Sequence, residues 1–139
     1  MKFPLNMENN FVVMSPNKTA FIENNDKGLY ERLDIKYGNF QGHDLISFHE
    51  FTTDWPTWEI HPHGDEVVIL ISGSTTFFLK YESGIATVEL NQQGQYVIVP
   101  RNTWHTAKTP FNSRLIFITP GQDTQNIELT QFSDEMGAE

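Results

Sequence analysis

Between Trp58 and Gly73 the sequence reads WEIHPHGDEVVILISG, with Glu59, His61 and His63 at every second position. Alternate residues of a strand share a face, so Glu59 and His61 project together while Ile60 turns away. A carboxylate and an imidazole on one face can share a proton or hold a divalent cation. Pro62 and Gly64-Asp65 then predict a tight turn, because Pro fixes φ and Gly and Asp accept turn conformations. His63 falls inside that turn. Beyond it Glu66 opens EVVILIS, a segment otherwise apolar on both faces. A carboxylate there must be paired, hydrogen-bonded or metal-bound, since burying it alone is costly.

The elements that must position these residues are short. Runs rich in Val, Ile, Phe and Tyr predict strands at 11–14, 20–23, 30–36, 44–51, 58–61, 66–71, 75–80, 85–90, 95–99, 105–108 and 114–119. Turn signals such as Gly38-Asn39, Ser72-Gly73, Ser83-Gly84, Gln93-Gly94 and Pro120-Gly121 separate them. No segment predicts a helix. The pattern is all-β, and its spacing predicts a sandwich or barrel. One domain is expected over residues 1–125, with a polar, acidic, partly disordered tail over 126–139 ending in SDEMGAE.

Two stretches carry a family resemblance. Glu59-x-His61-x4-Glu66-x6-Gly73 resembles the first motif of the cupin superfamily, with Glu59 where that motif begins with His. GQYVIVPRNTWHTAKT resembles the second: Gly94, Pro100, a turn residue at Asn102 where the family has Gly, then His105, with Thr109 in place of the closing Asn. Asn is among the few residues that tolerate the left-handed turn conformation. The resemblance spans Trp58 to Thr109 (58–109) and implies a small single-domain cupin: a double-stranded β-helix, or jelly-roll barrel, with ligands pointing into its interior.

It further implies a metal site formed by Glu59, His61, Glu66 and His105, holding one divalent transition ion per chain. The chain has no Cys, so any ligands are N and O donors, which suit Fe, Mn, Ni, Co or Zn. A competing register replaces Glu59 with His63 and restores three His, but places a ligand in the turn. Glu66 is the residue on which catalysis would depend. Each residue also has a plainer role: Glu59 as a solvated edge carboxylate or as the group orienting His61, His61 and His105 as half-buried histidines, and Glu66 as a cap of the turn or a partner of Arg101. His49 is expected to be structural. Trp55, Trp58, Trp104, Phe77 and Phe78 are expected to fill the barrel or its rim, with Trp104 beside the pocket.

Composition narrows the partners. A formal net charge of −9 opposes binding to nucleic acid, and no basic patch offsets it. No apolar run approaches a membrane span, and the first residues lack a signal core, so a cytoplasmic protein is expected. The expected partners are a small-molecule ligand in the barrel and a second copy of the chain, with Phe11–Met14 adding to a neighbour's sheet edge. Three functions fit: a metal-dependent enzyme of dioxygenase, isomerase or lyase type; a non-catalytic binding module; and a structural barrel with a vestigial site.

Overall fold

β-Branched and aromatic residues recur in short runs along the chain and favour extended backbone, and glycine-marked turns cut that backbone into short antiparallel strands. The computed structural model describes residues 2–132. Its strands are β1 (Asn10–Met14), β2 (Ala20–Asn24), β3 (Asp44–Phe51), β4 (Thr57–Ile60), β5 (Glu66–Ser72), β6 (Thr75–Tyr81), β7 (Gly84–Leu90), β8 (Tyr96–Val99), β9 (His105–Lys108), β10 (Ser113–Thr119) and β11 (Gln125–Glu128). They form a six-stranded sheet, β2-β1-β3-β10-β5-β8, facing a five-stranded sheet, β11-β4-β9-β6-β7. The inner four-strand orders, β3-β10-β5-β8 and β4-β9-β6-β7, are those of a jelly roll. The all-β expectation holds, and the fold is a jelly-roll barrel of the cupin type.

Alternation sends Val68, Leu70, Val97, Val99, Leu115 and Phe117 inward from one sheet, against Phe77, Leu79 and Ala107 from the other. This cluster fills one end of the barrel and leaves the other to the polar residues of β4, β5 and β9. Gly73 is required at the β5–β6 turn. Its φ is +88°, and a Cβ there would lie 2.1 Å from the Asn112 carbonyl oxygen. Asn102 takes the left-handed conformation expected of it, at φ 60°, and its N–H donates to the His61 carbonyl at 2.9 Å.

Two elements differ from expectation. The segment expected as a strand at 30–36 is helical: α1 spans Leu29–Lys36. Leu33 and Ile35, two apart, imitate a strand, but the buried pair is Leu29 and Leu33, four apart on one helical face, while Ile35 is 85% exposed. α1 packs on Phe11, Val13 and Leu45 of the inner sheet face. It is tied down by Glu23 of β2, which is 3% exposed and accepts hydrogen bonds from Arg32 Nε (3.1 Å), Lys36 Nζ (2.7 Å) and Tyr37 Oη (2.6 Å).

The region expected to be tail begins with structure. β11 pairs with β4 from Gln125 to Glu128, and a 3-10 turn over Leu129–Phe132 follows. Trp58, fully buried, holds this turn with an Nε1–H to Leu129 O hydrogen bond of 3.1 Å and an edge contact to Phe132. SDEMGAE lies outside the described residues. β1, expected to add to a neighbour's edge, instead sits between β2 and β3 of its own sheet. No helix among the described residues is long and apolar enough to cross a membrane.

Candidate metal centre

β4 ends at Ile60, β5 begins at Glu66, and the intervening turn aims both flanks at one point. Glu59 pairs in register with His105 of β9, which brings the second sequence motif onto the first. The structure gathers Glu59, His61, Glu66 and His105, each offering one ligand atom, with the four atoms within 4.8 Å of one another. His61, Glu66 and His105 are 3%, 2% and 0% exposed. His63 stands apart from this group, half exposed, with Nε2 2.8 Å from Asp123 Oδ2. Arg101 lies on the surface, where its backbone N–H donates to Asp65, and it does not reach Glu66.

The outer hydrogen bonds fix which imidazole nitrogen faces inward. His105 Nδ1–H donates to the Thr103 carbonyl at 3.0 Å. Thr124 gives its hydroxyl proton to Gly121 O, so its oxygen accepts from His61 Nδ1–H at 2.8 Å. Both Nε2 atoms therefore carry lone pairs toward the carboxylates. Glu66 Oε2 accepts from Thr119 Oγ1 at 2.6 Å, leaving Oε1 to the site.

The inner contacts are close but lack hydrogen-bond direction. His61 Nε2 lies 2.9 Å from Glu59 Oε1 and 3.3 Å from Glu66 Oε2, and His105 Nε2 lies 3.2 Å from Glu66 Oε1. His61 Nε2, His105 Nε2 and Glu66 Oε1 are buried with no hydrogen-bond partner. Buried lone pairs facing one another are completed by a cation between them, either a proton or a metal ion. Two imidazoles and two carboxylates suit a divalent transition ion, and the Nδ1 hydrogen bonds are the kind that orient metal-binding histidines.

Without a metal a proton occupies this place. Burial disfavours a charged His61, but contacts with Glu59 and Glu66 outweigh it and raise the imidazole to about 9. Burial also works to raise the Glu66 carboxyl, and contacts with His105 and His61 overcome it, holding Glu66 well below the usual carboxylate range.

Glu59, His61 and Glu66 form the floor of a cavity of about 770 Å³. Its walls include Phe51, Trp55 and Phe117 from the barrel and Tyr30, Leu33 and Asp34 from α1. His49, expected to be structural, lines it, with its ring against Phe11 and Phe117 and its Nε2 3.5 Å from Tyr30 Oη. Burial pushes His49 down, against the pull of Glu59 and Glu66, so it is neutral. Trp104, expected beside the pocket, does not line it. Trp55 does, its ring edge-on to His105 at 6.0 Å. Nothing in the sequence points to Tyr30, since a strand reading of its segment sends it to no particular place.

No protein-family profile and no curated protein sequence matches the chain. Solved structures do. An oxalate oxidase superposes with a TM-score of 0.51 at 11% identity, over 58% of this chain and 44% of that one. Hydroquinone 1,2-dioxygenase from Sphingomonas sp. TTNP3 with 4-hydroxybenzoate bound gives 0.47 at 14% identity, over 55% and 58%. A cupin superfamily protein from Desulfitobacterium hafniense DCB-2 gives 0.46 at 17%, over 55% and 65%. In each case the match spans less than two thirds of the other chain. Likeness at this level concerns the fold, and the fold is that of a small cupin, with a buried Glu/His cluster able to hold a metal at its open end.

Proposed function

We propose that the chain is a metal-dependent cupin enzyme acting on a small organic molecule, with Glu59, His61, Glu66 and His105 holding one divalent transition ion. The observation that carries this reading is the set of three buried, unpartnered atoms, His61 Nε2, His105 Nε2 and Glu66 Oε1, converging beside Glu59 at the floor of a cavity. When bound, such an ion supplies Lewis acidity or, as iron, oxygen chemistry of the dioxygenase kind. Thr103 and Thr124 hold the histidines in the right tautomer, and Thr119 holds Glu66. Glu59, at 29% exposure the most accessible of the four, faces an incoming substrate.

The test loads the chain separately with Fe(II), Mn(II) and Zn(II), and screens small ring and hydroxylated compounds for oxygen uptake, isomerisation or cleavage. The expected result is turnover with one metal, lost in Glu66→Gln while the melting transition of the metal-free protein stays within a few degrees. A loaded protein that binds ligands and turns none over is a binding module instead.

The chain is proposed to act as a homodimer. The outer face of the six-stranded sheet carries one apolar row in register across all its strands, Ile22, Val12, Ile46, Ile118, Val67 and Ile98. A second row runs Phe48, Ile116, Ile69, Tyr96. Neither row holds a charge, so two copies of a −9 chain can meet there without repulsion at the contact. Sedimentation of the native chain as a dimer and of Tyr96→Asp/Ile98→Asp as a monomer is the expected result; a native monomer contradicts it.

A further inference from the structure

We propose that the cavity takes an aromatic amine: a flat ring held among the aromatic walls, with a cationic tail at an acidic rim. This rests on reading the cavity as the substrate chamber beside the metal centre. The first observation is charge. The walls contain Asp34, Asp54, Glu59, Glu66 and Asp123, and no Lys or Arg. Glu59 and Glu66 together balance one divalent ion, which leaves the three aspartates at the rim. Asp123 lies against His63, and Asp54 accepts the Thr109 N–H at 2.8 Å. The exposed Asp34 carboxylate on α1 makes no hydrogen bond or ion pair with any described residue. An organic anion would find no Lys or Arg on these walls, only the His61 imidazole already facing Glu59 and Glu66, whereas an ammonium would meet at least one free carboxylate.

The second observation is shape and polarity. Inside the rim the walls turn aromatic. Phe51 meets Trp55 at 5.6 Å and Phe117 at 6.0 Å, and Trp55 meets Phe117 at 6.0 Å, all in tilted or edge arrangements. A further ring can join this set edge-on or offset, the geometries aromatic pairs prefer. Tyr30 Oη and the neutral His49 supply uncharged polar contact between ring and rim. The third observation is the floor itself. His61 and Glu66, both more than nine-tenths buried, present unpartnered atoms there, so the chamber leads to a site that is chemically incomplete on its own.

The test uses the full chain, metal-free and zinc-loaded, titrated calorimetrically with phenethylamine, phenethyl alcohol and hydrocinnamate, which share a ring and differ in charge. Hexylamine serves as the ring-free control. In the metal-free chain the amine is expected to bind on the order of tenfold tighter than the carboxylate, the scale two or three water-exposed charges supply. The alcohol should fall between them, and hexylamine below phenethylamine. In Asp34→Asn/Asp54→Asn the amine should drop to the level of the alcohol. A carboxylate that binds the metal-free chain as tightly as the amine, an order unchanged in the double variant, or no binding of any probe at millimolar concentration overturns the proposal. Zinc stoichiometry in the same samples reads the metal centre independently. Loss of zinc binding with the amine preference intact would refute the metal reading alone, and retained zinc with no amine preference would refute this one alone.

Discussion

Glu23 and Glu66 are buried to nearly the same degree, 3% and 2% exposed, yet they are partnered in opposite ways. Glu23 sits among Arg32, Lys36 and Tyr37, all hydrogen-bond donors, and two of them carry full positive charge. Its burial cost is met inside the chain, and what it achieves is mechanical, since it pins α1 to β2. Glu66 has one donor, the Thr119 hydroxyl, and otherwise faces two imidazole nitrogens whose protons are committed elsewhere. The first carboxylate is complete and the second is not. A buried charge left incomplete by its own protein marks a place where something else is meant to bind.

The largest expected effect breaks the comparison at Glu66. Glu66→Gln keeps the shape, removes the charge, and should weaken zinc or manganese affinity by about a hundredfold or more, measured by competition with a chromophoric chelator. Glu23→Gln should leave that affinity untouched. If both variants lose metal binding equally, the distinction between the two sites fails.

A pH series sharpens the contrast next. His61 is raised to about 9 in the metal-free fold, so its contribution to stability is fully present below its unfolded value near 6.5 and is lost as pH rises through about 9. The metal-free protein should therefore lose on the order of 2–3 kcal/mol across that window, followed by urea denaturation. A bound metal replaces the proton, so the loaded protein should show no such loss, and its affinity should rise over the same range. Glu23 behaves in the reverse sense. Burial would raise it, but Lys36, Tyr37 and Arg32 hold it below its ordinary value, so its contribution is present above the unfolded pKa and is lost as pH falls through the folded one.

Smaller effects follow. Glu23→Gln should destabilise the fold by about 1–2 kcal/mol, a figure reduced because Arg32 and Lys36 are 35% and 53% exposed and screened by solvent. The acid-side slope should shrink with it. Thr124→Val removes the acceptor for His61 Nδ1–H together with the donor to Gly121 O, and should lower metal affinity about tenfold with only a small shift of the melting transition.

The two carboxylates also show what could be read before the structure was known. Glu59, His61, Glu66 and His105 were legible because strand alternation and two local motifs place them together over short spans. Asn102 was legible as a left-handed turn because so few residues tolerate that conformation. The partners that complete the site were not: Thr124 lies 63 residues from His61 in sequence, and Thr119 lies 53 from Glu66. Nothing local distinguishes these threonines from any other at a strand end. α1 was hidden because Leu33 and Ile35 fit a two-residue period as well as Leu29 and Leu33 fit a helical one, and only tertiary burial decides between them. With α1 misread, Tyr30, Asp34 and the cavity wall could not be foreseen. β11 was hidden by polarity: QNIE carries a single apolar residue, and it is a strand because β4 offers it an edge.

On the proposed function, Glu59, His61, Glu66 and His105 form a site completed by a metal ion. The most direct measurement is elemental analysis of untagged protein purified without added metal or chelator, beside the His61→Ala/His105→Ala variant prepared identically. The expected result is close to one transition-metal ion per chain in the native protein and almost none in the variant. A native protein that holds no metal and takes up none on reconstitution, or a variant that retains the same content, would contradict it.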